Sequence, residues 1–143
     1  MDGGNDTSLD NQPLKGLIRQ YNEIAKTKIT SEKINEFIKD WRCKYVGPPT
    51  SHQEGNLQFK EAKAQGDFLL VKIDNSAYVL PVFFSSLNND KEPMLKKCYE
   101  TENLEAIKEG NYHITKPAIV DDGLRLVDDG KGIIKGGKEE QKT

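Results

Sequence analysis

The hydrophobic positions change their period partway along the chain, dividing it into a helical beginning and a strand-rich remainder. Leu14, Leu17, Ile18, Tyr21, Ile24 and Ala25 recur at three- and four-residue spacing, which puts them on one stripe of a helix. The spacing predicts a helix over 13–26, with Asp10 or Asn11 as its cap. Pro13 suits the first turn, where its missing N–H goes unused, and Gly16 weakens that turn. A second helix is expected over 31–43. Thr30 caps it, Glu32 sits in the positive first turn, and Ile34, Phe37, Ile38 and Trp41 form its apolar face. Two helices this short need a partner surface to be stable.

Gly47-Pro48-Pro49 ends the helical region, because the residue before a proline avoids helix and proline has no donor. Residues 47–56 read as a polar linker, and beyond it the period shortens. Leu57 and Phe59 alternate, and Phe68 to Ile73 run almost continuously apolar, as a strand buried on both faces does. Asp74-Asn75-Ser76 supplies turn chemistry, and Ala77 to Phe84 form a returning strand, so a hairpin is expected. Pro81 must sit at an edge or bulge, since it cannot donate to a ladder.

Residues 85–93 are a polar loop, and 92–99 and 102–109 have helical composition. The second of these starts at Thr101 as cap and stops at Gly110. "YHITKPAIV", "LRLV" and "GIIK" follow, separated by the turns Asp121-Asp122-Gly123 and Asp128-Asp129-Gly130, in the pattern of an antiparallel meander. The expected fold is α+β: two amphipathic helices on a small antiparallel, partly closed β-barrel of SH3-like or similar kind, with a short helical insert. One domain spans 13–134, with the helical pair at 13–46 and the β-rich core at 57–134. The insert falls at 91–109.

Composition limits the size of that core. Of 143 residues, 35% are hydrophobic and 31% charged, which suits a modest core with polar ends. Residues 1–12 and 135–143 hold too little apolar surface to offset ordering entropy and are expected to be disordered. No stretch is long and apolar enough to span a bilayer, and the acidic N-terminus lacks the apolar region of a secretory signal. A cytoplasmic protein with no membrane partner is the plain reading. Cys43 and Cys98 lie far apart and outside any CxxC spacing, so two small buried thiols are expected. The net charge of −2 is unevenly placed: residues 14–45 carry eight Lys/Arg against four acids, a local excess of +4.

Chemistry needs a constellation, and none stands out. There is no phosphate-binding glycine loop and no nucleophile elbow. His52 and His113 are isolated, which argues against a zinc site. Asp121-Asp122 and Asp128-Asp129 are adjacent pairs before glycine rather than the alternating ligands of a calcium loop, so turn chemistry explains them. No catalytic residue, metal or cofactor is expected. Aromatic surface remains: Trp41 with Arg42, Tyr78, and the pair Phe83-Phe84, with Tyr99 and Tyr112 as further large rings. Adjacent strand residues face opposite ways. Either a helix therefore covers one of the two phenylalanines, or one is available to a partner.

The segments "IRQYNE" (18–23), "INEFIKDWR" (34–42), "GDFLLV" (66–71), "AYVLPVF" (77–83) and "YHITKPAIVDDGLRLVDDGKG" (112–132) resemble an uncharacterised accessory domain of cyanobacterial and other bacterial hypothetical proteins. The likeness covers most of 18–132. Its most specific elements are Tyr78-Val79-Leu80-Pro81 and Lys116-Pro117-Ala118, and Lys116 joins the candidate contact residues with them. The chain departs from the pattern where its arginine follows Trp41. It departs again in the last strand, where Leu124 or Leu126 replaces a tryptophan. The resemblance implies a small β-rich, non-catalytic module. A non-enzymatic protein-interaction or regulatory module of a bacterial cytoplasmic protein is therefore expected. The alternative is a nucleic-acid-binding small barrel, for which the basic 14–45 segment speaks. Association with a second copy of the chain is compatible with either.

Overall fold

The computed structural model describes residues 4–47, 49–51, 57–62 and 66–137. Among them the chain forms helices α1 (Gly4–Lys26) and α2 (Ser31–Trp41), then strands β1 (Lys44–Val46), β2 (Thr50–Ser51), β3 (Leu57–Gln58), β4 (Phe68–Ile73) and β5 (Ser76–Pro81). Helix α3 (Glu92–Cys98), strand β6 (Tyr99–Glu102), helix α4 (Leu104–Lys108) and strands β7 (Tyr112–Lys116), β8 (Ala118–Val120) and β9 (Gly132–Gly136) complete it. The class is α+β, as expected.

The strands form three sheets among the described residues: β1-β4-β5-β8, β2-β3 and β6-β9-β7. The first two are antiparallel throughout, whereas β9 runs parallel to β6 and antiparallel to β7. This is not the simple meander the Asp-Gly turns suggested, and no closed barrel is seen among the described strands. The cause lies at Pro117. A proline cannot donate to a ladder, so the chain leaves the third sheet after Lys116 and enters the first at Ala118. The "LRLV" segment makes only bridges, Gln58 with Arg125 and Val120 with Leu126.

Helix α1 carries Pro13 in its interior instead of at its start. Proline costs a helix one bond, from the N–H it lacks to the carbonyl four residues back, and the helix continues through it to Gly4. Of the tails expected at 1–12 and 135–143, residues 1–3 and 138–143 lie outside the described residues. Gly4 to Gln12 are helical, and 135–136 complete β9. His52 also lies outside the described residues.

Helix α2 begins where Thr30 predicts: the Lys33 N–H donates to Thr30 Oγ1 at 3.2 Å. It ends sooner than expected, at Trp41, because Arg42 turns left-handed (φ 53). Cys43 N–H then returns to the Ile38 carbonyl at 2.9 Å, which reverses the chain and frees Lys44-Tyr45-Val46 to pair with β4. The helical pair thus gives up its last residues to a strand. A second correction concerns Thr101, which lies in β6 and not at a helix start. Asn103 (φ 57) precedes α4 without capping it through its side chain.

The central hairpin forms as the sequence predicts, with a turn of Asp74 and Asn75 only, since Ser76 already pairs with Ile73. Phe68 to Val71 are buried in succession, so both faces of β4 are covered. Strand β5 ends at Pro81, before Phe83 and Phe84. Val82 N–H donates to the Asp67 carbonyl at 3.0 Å, so by alternation residue 81 faces the opposite side of the strand. On that side β8 reaches only Val79, and the missing donor of Pro81 costs no ladder bond.

Three buried tyrosines finish the edge that β8 leaves open. Tyr99 OH donates to the Val79 carbonyl at 2.5 Å and accepts from Ala118 N–H at 3.1 Å, bridging the last pair of the β5–β8 ladder. Tyr21 OH donates to the Pro81 carbonyl at 2.7 Å. Tyr112 OH accepts from Phe84 N–H at 3.4 Å and lies 3.5 Å from Tyr21 OH. Each satisfies a backbone group that burial would otherwise strand.

Candidate functional site

Two of the six candidate contact residues come together. Phe83 is buried, stacked on Tyr21 with ring centroids 4.4 Å apart and set edge-on to Phe37 at 5.3 Å. Helices α1 and α2 are therefore the cover the sequence called for. Phe84 points the other way and is half-buried. Its ring lies flat on Tyr112, centroids 4.2 Å apart and planes 6° from parallel. Burial pushes the Tyr112 hydroxyl up to about 12, so it stays protonated and in place at any ordinary pH.

Phe83 and Phe84 both line a cleft of about 230 Å³. Its walls come from three directions: Ile34 of α2, Tyr45 of β1, and Met94 with Leu95 of α3. Val82 and Leu87 fill in beside Phe84. Most of this lining is apolar, and Ile34, Tyr45, Val82, Phe84 and Met94 are each partly exposed. Asp67 and Lys91 are its charged members, and they form an ion pair at 3.3 Å. A preformed apolar concavity with few polar groups is what a binding site offers.

The other four candidates lie elsewhere. Trp41 holds the helices together: its Nε1–H donates to Gln20 Oε1 at 2.9 Å, and its ring sits over Gly16. Arg42 is exposed and serves as the left-handed end of α2. Tyr78 is half-buried between Val71 and Ile119 on one face of the first sheet. Lys116 donates to the Asp129 carbonyl at 3.1 Å, beside a shallow polar depression shared with Lys97, Lys131 and Asp128.

Sequence reasoning missed Tyr45, Asp67, Lys91 and Met94 as members of one site. Tyr45 was assigned to a helical region, and the others stand in loops or a short helix with no local signal of shared position. His113 is almost fully buried, with Nδ1 2.9 Å from the Gly137 carbonyl. Cys43 and Cys98 are free buried thiols. Among the described residues no group of three or more His, Cys, Asp or Glu is placed to hold a metal ion, and no helix is long and apolar enough to cross a membrane. No family model, curated protein or solved structure matches the chain.

Proposed function

We propose that the chain is a non-enzymatic protein-interaction module and that its contact surface is the cleft floored by Phe84. One observation supports this above the rest. Phe84 presents a half-exposed ring in a concave apolar setting, and stacking on Tyr112 keeps it from turning inward. Large aromatic anchors in such pockets supply most of the energy of protein contacts. In this reading the chain is a module of a bacterial cytoplasmic protein, in line with the resemblance of most of residues 18–132 to an accessory domain of bacterial proteins.

The test is recovery of a partner by the tagged protein from its source cells, with nuclease-treated and untreated halves, comparing the unaltered chain with Phe84→Asp. A protein held by the first and lost with the second is the expected result. Unchanged recovery with Phe84→Asp sinks the cleft as the contact surface.

The second reading, a nucleic-acid-binding small barrel, has its own support. Lys39, Arg42 and Lys44 are all exposed around the junction of α2 and β1. It predicts affinity falling steeply as salt rises and counterions are released. Flat affinity between low and physiological salt removes it.

A further inference from the structure

We infer that the cleft selects a partner segment in which a large apolar side chain stands next to a lysine or arginine. The inference rests on the cleft being the contact surface, as proposed above, and follows from an asymmetry in the two charges that line it. Asp67 is fixed: its carbonyl accepts from Val82 N–H at 3.0 Å, and β4 begins at the next residue. Its side chain is 29% exposed, against 52% for Lys91. Lys91 reaches across from the start of α3 on a long, rotatable stem. The acid is therefore part of the wall, whereas the ammonium is a removable occupant.

An exposed pair of this kind contributes little to stability, so its exchange is cheap. An incoming cation replaces the Lys91 ammonium charge for charge on Asp67, while Lys91 swings into water. An incoming anion has no equivalent route. It must take Lys91 from Asp67 and leave a fixed carboxylate beside a like charge. The walls point the same way, since Tyr45 and Phe84 line the cleft as partly exposed aromatic rings, and such rings attract cations. The apolar floor accepts the neighbouring side chain. Lys91 is then the chain's own stand-in for the partner's basic residue.

Three capped fragments test this by nuclear magnetic resonance: acetyl-Phe-Lys-amide, acetyl-Phe-Glu-amide and acetyl-Phe-amide. The lysine fragment is expected to shift the Asp67, Val82 and Met94 amides saturably and to bind about fivefold more tightly than the glutamate fragment. Asp67→Asn is expected to erase that preference, and Lys91→Ala to strengthen binding of the lysine fragment by removing its competitor. Both substitutions are at partly exposed side chains, so the fold survives them. Equal or tighter binding of the glutamate fragment, or a preference that survives Asp67→Asn, overturns the inference. If acetyl-Phe-amide binds but charge makes no difference, the cleft stands and the charge selection falls. If no fragment shifts these signals, both fall together.

Discussion

Asn22 of α1 holds Ile114 of β7 by both halves of its peptide backbone. The Asn22 amide donates from Nδ2 to the Ile114 carbonyl at 2.9 Å, and Ile114 N–H donates to Asn22 Oδ1 at 2.8 Å. One side chain, 1% exposed, thus makes the two bonds that a neighbouring strand would make. It closes the β7 edge of the third sheet and docks the first helix on it.

Removing that side chain strands two buried backbone groups, each costing about 1–3 kcal/mol. Asn22→Ala is expected to destabilise the chain by about 2–4 kcal/mol, read as a lowered urea midpoint. Asn22→Asp separates the two bonds. The carboxylate keeps the acceptor for Ile114 N–H but faces the carbonyl with no donor. It should therefore cost more than Asn22→Ala at neutral pH and recover as the acid protonates. Equal stability of the three proteins would show that the pairing carries no weight.

The Tyr99 ring and Gly132 are fitted to one another. A Cβ at residue 132 would meet Tyr99 Cε2 and, on the other side, the Lys116 carbonyl. Gly132 pairs with Tyr99 across the parallel β6–β9 ladder, so only a bare backbone lets the ring reach in and place its hydroxyl between Val79 and Ala118. Gly132→Ala is expected to cost several kcal/mol, by analogy with other overpacked cores. Tyr99→Phe should cost about 1–3 kcal/mol by stranding the buried Val79 carbonyl and Ala118 N–H. Tyr99→Ala should relieve part of the Gly132→Ala penalty, because residues in contact do not add. Strict additivity in this double-mutant cycle would contradict the fit.

What was legible in the sequence is what local chemistry decides. Thr30 capped α2, Gly110 (φ 85) ended α4, and the apolar runs about Asp74 gave the central hairpin, because each needs only near neighbours. What was not legible depended on distant partners. The parallel pairing of β9 with β6 joins residues some thirty positions apart, and no turn signal announces it. Strand β1 was hidden because its preceding helix ends on Arg42 in a left-handed turn, where glycine is the usual sign. The site was half legible. Two adjacent phenylalanines with opposite facings implied that one is covered and one is not, whereas the walls of the cleft come from α2, β1 and α3, which only the tertiary fold assembles.

The two thiols give a prediction about pH. Burial pushes both the Cys43 and Cys98 thiols up from the ordinary thiol range to about 12, and burial raises Tyr21, Tyr99 and Tyr112 as well. Each folded-state value lies above the unfolded one, so the neutral form is favoured by folding. The resulting stability is fully present below about pH 9 and is lost as pH rises toward about 12. Urea midpoints should be flat from pH 6 to about 8.5 and fall beyond it. At pH 8 neither thiol should react with an alkylating reagent at the rate of a free cysteine, while both should react once urea unfolds the chain. Rapid labelling of the folded protein would show that the core around them opens.

The last prediction concerns the order of strands in the third sheet. Strand β9 is the final described strand of the chain, yet it lies between β6 and β7 and buries Ile134 fully. Neither outer strand pairs with the other. A chain ending at Lys131 should therefore lose the whole sheet rather than one edge of it. The Tyr99 hydroxyl that bridges Val79 and Ala118 would then lose its support. So would β7, which receives Asn22, and the Tyr112 ring, which backs Phe84. The expectation is cooperative loss of the native fold, read as missing near-ultraviolet dichroism and collapsed amide dispersion. Addition of a peptide spanning 131–143 is expected to restore part of the dispersion, because it returns the one strand both neighbours share. A truncated chain that keeps native dispersion in β4 and β5 would show instead that the first sheet and its helices fold without the third.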